Sequence, residues 1–300
     1  MADAPAPPAR LRVVTWNIRA AIGPGDPFPP AWWRHVRADR LERIAAVLRG
    51  LDADVATLQE VSVLTPDGSL IDQPAELARL TERHVRYAAV HAFPLVEPET
   101  GRTIGFASWG NAILTRDPLE DGFASSLPRA ADDDLVEVEG APDPATGAAH
   151  PLIGVRYGDT EPGHREPRCV VGGRLPGGPT VLTTHLTYIG RAQRARQAES
   201  VAGELAQRAR GGPAILTGDF NAPIDAPELG PLAAHHLGLT DAFAASGIPT
   251  GDDRRLSCGP WPIDHVRVRG FRVIACRVVT EAGDASDHWP VLADLEVASA

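Results

Sequence analysis

A chain of 300 residues, 43% of them apolar, can bury a sizeable core, which excludes a disordered tail or a fibrous protein. Gly 29 and Pro 28, without any period, punctuate many loops between short elements and argue against an all-helical bundle. The net charge of -10 gives no general attraction to nucleic acid or an anionic membrane, although a local basic site stays open. All 29 basic residues are Arg, which reads as a GC-rich coding bias more readily than as a phosphate-binding design.

Met1 to Arg10 is Ala/Pro-rich and is expected to be a flexible segment ahead of a single domain over 11–297. It has no basic stretch leading into an apolar one, so no signal peptide is read and a cytoplasmic location is expected. No run of about 18 apolar residues predicts a membrane span. Leu11 to Trp16 is a β-rich run ending at Asn17. Leu41, Ile44, Ala45, Leu48 and Leu51 form the stripe of an amphipathic helix, and Asp54 to Leu58 is a second strand with Gln59 and Glu60 at its end. Residues 118–163 carry many acids, Pro and Gly, and read as a long surface insertion.

Strand, helix and strand then return: Thr180 to Thr184 ends in His185, Ala198, Val201, Ala202 and Leu205 share a helix face, and Ala214 to Thr217 leads into Gly218 and Asp219. Ile263 to Val268 and Phe271 to Val279 alternate as strands, with Arg267 and Arg269 expected on a solvated face. Val291 to Val297, the last strand, follows Ser286, Asp287, His288 and Trp289. Cys169, Cys258 and Cys276 lack the spacing of a zinc site or a disulfide framework and are expected to be buried thiols.

Polar clusters recur where these strands end: Asn17, Glu60, His185, Asp219 with Asn221, and Asp287 with His288. Carboxylates, carboxamides and imidazoles without thiolates suit a hard cation such as Mg²⁺ or Mn²⁺. A single acid after a strand is more often a turn or a helix cap, so the recurrence carries the inference.

These segments resemble the endonuclease/exonuclease/phosphatase superfamily, the deoxyribonuclease I-like metal-dependent phosphoesterases. The resemblance runs from Val13 to Leu295 through Thr-Trp-Asn at Asn17, Leu-Gln-Glu at Glu60, Gly110-Asn111-Ala112-Ile113-Leu114, Thr184-His185-Leu186, Gly218-Asp219-Phe220-Asn221, Ile263-Asp264-His265-Val266 and Ser286-Asp287-His288-Trp289-Pro290. It implies an α/β (α+β) four-layer sandwich, two packed mixed β-sheets flanked by helices. It further implies a divalent cation, Mg²⁺ or Mn²⁺, with Glu60 as principal ligand and Asn17 and Asp287 close by. Asp219 would orient or deprotonate the attacking water, Asn221 would hold it, His185 and His288 would bind phosphoryl oxygens, and Asp264 would orient His288. Arg165 or Arg168 resembles the family's phosphate-contacting arginine, with a surface ion pair as the alternative.

The chain also departs from the family. Asn111 stands where deoxyribonuclease I has a glutamate supporting the first histidine, so it can assist His185 or the phosphate only as a neutral partner. His265 replaces the usual Tyr or Arg and reads as a packing or substrate-side residue. The tyrosine of the apurinic-site endonucleases and the Trp-Cys-Asp-Arg signature of the inositol 5-phosphatases are both missing. The expected activity is metal-dependent hydrolysis of a phosphodiester or phosphate ester by in-line attack of water, on a small or lipid-like substrate. A DNA or RNA nuclease is the alternative, disfavoured by the acidic charge, and a catalytically inactive binding protein is a further one.

Overall fold

Val13, Val14 and Trp16 are fully buried although they point to both faces of the first strand, as a central strand between two layers requires. The structure is a computed structural model describing residues 10–25, 31–129, 167–188, 190–233 and 235–298. In chain order its elements are β1 (Arg10–Asn17), α1 (Ala38–Leu51), β2 (Val55–Leu64), β3 (Ile71–Asp72), α2 (Gln73–Thr81), β4 (His84–Val96), β5 (Thr103–Thr115) and β6 (Glu120–Ser126). After the segment outside the described residues come β7 (Cys169–Arg174), β8 (Thr180–His185), α3 (Arg191–Ala209), β9 (Ala214–Asp219), α4 (Gly230–Ala233), β10 (Thr240–Asp241), α5 (Ala242–Ala245), β11 (Asp264–Arg269), β12 (Phe271–Val278) and β13 (Val291–Val297).

The first sheet has strand order β12-β13-β1-β2-β5-β4, with β3 added to β2, and the second has order β10-β11-β9-β8-β7-β6. β1 and β2 are parallel and joined through α1; β8 and β9 are parallel and joined through α3. Parallel neighbours need such crossovers, which cover the outer faces. Val13, Val55, Val181, Ile215, Val266 and Leu295 pack between the sheets. Ile44, Leu48 and Leu77 seal α1 and α2 against the first sheet, and Val201 and Leu205 seal α3 against the second. Each such fully buried aliphatic side chain contributes about 1.5–3 kcal/mol. The result is the expected four-layer α+β sandwich.

Several boundaries differ from those expected. β2 does not stop at Leu58 but bulges between Leu58 and Val61 and runs on to Leu64. β4 and β5 form a long hairpin whose outer part has its own core of Leu64, Leu95, Ile104 and Trp32, with Trp32 stacked on Trp109. The expected insertion begins with an ordered edge strand, β6, paired to β7; its residues 130–163 lie outside the described ones, as do residues 1–9. Cys169 and Cys276 are buried, while Cys258 is only partly so.

Arg267 and Arg269 are not on a solvated face. Arg267 is buried and donates to Leu239 O, and Arg269 donates to Gly212 O and Leu237 O, because the chain segments around 212 and 237–241 fold over the outer face of β11. Guanidiniums satisfy carbonyls that those segments leave without sheet partners.

Candidate active site

The second sheet delivers its groups in one rung. His185 closes β8 opposite Asp219 of β9, and Asp219 faces Asp264 at the start of the antiparallel β11. All three are buried. Gly218 permits this rung: at φ +143° its backbone passes so close to β8 that a Cβ would stand 1.9 Å from Thr184 O.

The first sheet delivers its groups from irregular backbone. Glu60 sits in the β2 bulge with φ 55°, so a strand that would bury this side chain or turn it away re-aims it. Asn17 ends β1, and the next turn runs through Arg19, Ala20 and Ala21, all left-handed at φ 47°, 49° and 58°. Such conformations cost non-glycine residues roughly 1–2 kcal/mol each. Gln73 holds the turn by donating to Ala20 O at 2.6 Å while accepting from Ser62 N at 2.9 Å. The last segment is tied to β1, since Trp16 Nε1 donates to His288 O at 2.9 Å and Ser286 Oγ to Asn17 O at 2.8 Å.

These groups meet across the sheet edges. Asn17 Nδ2 donates to Glu60 Oε1 at 3.0 Å and to Asp219 Oδ2 at 3.1 Å, while its Oδ1 accepts from Arg19 N at 3.0 Å. Asp219 Oδ1 accepts from Asn221 N at 2.9 Å. His185 Nε2 is 3.4 Å from Asp219 Oδ2 and its Nδ1 is 4.0 Å from Glu60 Oε1. His288 Nδ1 meets Asp264 Oδ2 at 2.8 Å, which leaves Nε2 facing Asp219 Oδ2 at 3.8 Å. Asp287 Oδ2 lies 3.3 Å from Arg19 Nε, and its Oδ1 lies 3.1 Å from Ser286 Oγ, whose proton goes to the closer Asn17 O.

Burial, with repulsion from Asp287, pushes the Glu60 carboxyl up to about 7. Burial and Asp264 push Asp219 up to about 6. Burial, then the charges of Arg168 and His288, hold His185 well below the usual imidazole range. Burial alone would lower His288 as well, but Asp264 and Cys258 outweigh it and hold this imidazole well above that range. Burial thus acts alike on both rings, and Asp264 together with Cys258 turns His288 the other way.

The other expected residues fall out variously. Asn221, also left-handed at φ 50°, donates through Nδ2 to Leu186 O at 2.8 Å. Arg168 is buried beside the site, its charge acting on Glu60 and His185; Arg165 lies outside the described residues. The Asn111 carboxamide donates to Cys169 O at 3.2 Å and to its Sγ at 3.6 Å, between the sheets. His265 is buried with Nε2 donating to Ala222 O at 2.8 Å and its ring 5.1 Å from that of Phe220.

Sequence reasoning missed the supports. Beneath the site Gln59 Nε2 donates to Thr183 Oγ1 at 3.0 Å and Thr15 Oγ1 at 3.2 Å, and the Thr57 and Thr217 hydroxyls meet at 2.8 Å. These bonds key the two sheets together directly below Glu60. Their only signal was polar residues recurring at inward positions of otherwise apolar strands. Arg19 was missed because nothing in Arg-Ala-Ala announces a left-handed turn.

A divalent cation fits this donor set. Glu60 and Asp287 offer carboxylate oxygens with no thiolate beside them, next to the Asn17 carboxamide, and a cation would stabilise the Glu60 charge that burial, and then Asp287, disfavours. Among the described residues, Asp219, Asp264 and His288 also lie close enough together to share an ion.

The profile of the Endonuclease/Exonuclease/phosphatase family matches residues 14–288, and the chain belongs to that family. Its members are hydrolases of phosphoester bonds and generally use a divalent cation. Among solved structures, the chain is similar to an endonuclease/exonuclease/phosphatase from Beutenbergia cavernae DSM 12333 at 25% identity and TM-score 0.64, covering 98% of this chain and 73% of that one. It shares the fold of the human Nocturnin catalytic domain with bound sulfate (16% identity, TM-score 0.61, covering 97% and 94%). It also shares the fold of Bacteroides thetaiotaomicron mannosyl-6-phosphatase (19%, 0.56, 95% and 99%). No curated protein matches the chain significantly. Among the described residues no helix is long and apolar enough to cross a membrane.

Proposed function

We propose that the chain is a divalent-cation-dependent phosphoesterase that hydrolyses a compact phosphodiester or phosphate ester by in-line attack of water. The observation that carries this reading is the convergence of Asn17, Glu60, His185, Asp219 and the Asp264–His288 pair across two sheet edges. Glu60, Asn17 and Asp287 would hold Mg²⁺ or Mn²⁺, which when bound screens the phosphate charge and stabilises the leaving oxygen. Asp219, fixed through Asn221 N and Asn17 Nδ2, accepts the proton of the attacking water, and its upward-shifted carboxyl suits a base working near neutrality. His288, charged and locked by Asp264, donates through Nε2 to the phosphoryl oxygens where negative charge grows. His185 stays neutral and contributes a hydrogen bond without another charge. Asn221 helps hold the water, and Arg168 faces the substrate phosphate.

The net charge of -10 favours a small or lipid-like substrate over duplex nucleic acid. A single domain over 11–297 follows from the same reading. The test is a panel of bis(p-nitrophenyl) phosphate, phosphomonoesters, sphingomyelin, RNA and plasmid DNA with Mg²⁺ or Mn²⁺, with Glu60→Gln beside the wild type. We expect activity on small esters that EDTA abolishes and that Glu60→Gln lowers about 10²–10³-fold. Undiminished hydrolysis by metal-free protein would overturn the cation, and efficient plasmid nicking would replace the substrate class with a nuclease.

A further inference from the structure

The Arg19 side chain brings a guanidinium to the first sheet's own cluster of acids. Its Nε lies 3.3 Å from Asp287 Oδ2, its Nη1 donates to Gly23 O, and it is only 14% exposed. The other Asp287 oxygen lies 3.1 Å from Ser286 Oγ, whose single proton goes to the closer Asn17 O at 2.8 Å, so among the described residues the Arg19 guanidinium is the charged partner that holds this carboxylate. The placement is built: three successive left-handed residues, pinned by Gln73 and packed through Ala20 and Ile22 on the Trp32–Trp109 sub-core, turn the guanidinium back over the site. Strain held in place this way at a site is the usual mark of a positioned group. The Arg19 backbone does a separate job, since its N–H fixes Asn17 Oδ1 whatever side chain follows.

We propose that Arg19 is a positioning residue that sets the cation affinity of the site by holding Asp287 in an ion pair, so that Asp287 stays at the rim while Glu60 serves as the principal ligand. This rests on the reading of Glu60, Asn17 and Asp287 as the cation site. A cation that recruits Asp287 must displace a guanidinium and then sit beside its positive charge. Without Arg19, Asp287 is released to the cation, which binds more tightly and, with more of its charge already neutralised, does less for the substrate phosphate. Affinity and turnover therefore move in opposite directions, whereas loss of a merely structural residue lowers both.

The test is isothermal titration of Mn²⁺ into substrate-free protein, with kcat and KM on an aryl phosphodiester and a melting curve for each variant. Arg19→Gln is expected to bind Mn²⁺ on the order of tenfold more tightly and to turn over on the order of tenfold more slowly. Arg19→Lys, which keeps the charge, should bind within about threefold of the wild type. In an Asp287→Asn background the glutamine substitution should change affinity much less, since the pair is already gone. Arg19→Met, with an unbranched stem for the same packing, repeats the measurement if the glutamine variant melts early. Unchanged or weaker Mn²⁺ binding by folded Arg19→Gln and Arg19→Met overturns the proposal alone. No Mn²⁺ binding by the wild type overturns the cation reading and this proposal with it.

Discussion

The two sheets supply the site in different ways. The second places His185, Asp219 and Asp264 side by side in one hydrogen-bonded rung of continuous strands, with Gly218 allowing their close approach. The first reaches the same space only through a bulge at Glu60, a left-handed turn after Asn17 and a loop at Asp287 and His288, each tied down by side-chain hydrogen bonds. Groups on regular strands inherit their precision from the sheet, while groups on irregular backbone depend on supports that can be removed singly. Variants on the second sheet should therefore act on stability and activity together, and variants of the supports on activity out of proportion to stability.

The largest effect tests the contact that joins the sheets, between Asp264 on β11 and His288 on the loop. His288→Ala and Asp264→Asn should each lower kcat/KM about 10²–10⁴-fold, and the double variant little further, because they act as one unit. Full additivity in this cycle would mean that the 2.8 Å contact carries no catalytic coupling. Next, Gly218→Ala puts a Cβ 1.9 Å from Thr184 O and should cost about 3 kcal/mol in urea unfolding, with activity falling as the β8–β9 rung separates. Wild-type stability in that variant would show that the rung tolerates displacement.

A support makes the contrasting case, even though β8 of the second sheet lends it to Glu60's strand. Thr183→Val is nearly isosteric but removes the hydroxyl that accepts from Gln59, leaving the carboxamide below Glu60 to Thr15 at 3.2 Å. We expect no more than about 1 kcal/mol lost in stability and on the order of 10²-fold in kcat/KM, as for other groups that orient a ligand indirectly. Thr183→Ser should restore activity. If serine and valine behave alike, the cross-sheet bond does not orient Glu60.

The same division explains what could be read from the sequence. Strand, helix and strand around α1 and α3 were legible because Leu41, Ile44 and Leu48, and likewise Val201 and Leu205, repeat with helical period between apolar runs. The second sheet's residues were legible for the same reason, since each follows such a run directly. Glu60 was identified by its motif, yet its place inside a longer strand was not, because a bulge has no periodic signature. The β4–β5 hairpin escaped because Gly105, Gly110 and short polar residues dilute its alternation. Arg19 escaped because its conformation is imposed by Gln73, more than fifty residues away.

The smallest effect is expected on the face of the second sheet turned away from the site. Val266 and Val268 point between the sheets, so Arg267 points outward, beneath the segment that carries Leu239. Its burial opposes its charge and lowers its pKa, its Nε and Nη1 find no hydrogen-bond partner among the described residues, and its Nη2 donates to Leu239 O at 3.0 Å. Replacing a buried, under-satisfied charge by an apolar side chain of similar length removes a desolvation cost along with that bond. Arg267→Met should therefore change stability by no more than about 1 kcal/mol in either direction and leave kcat/KM within about twofold of the wild type, as a mutation with no shared partner at the site should. Urea unfolding and steady-state kinetics on the same preparation check both. A substantial fall in kcat/KM at unchanged stability would mean that the outer face of β11 communicates with Asp264, and the site's precision would then depend on both faces of the second sheet.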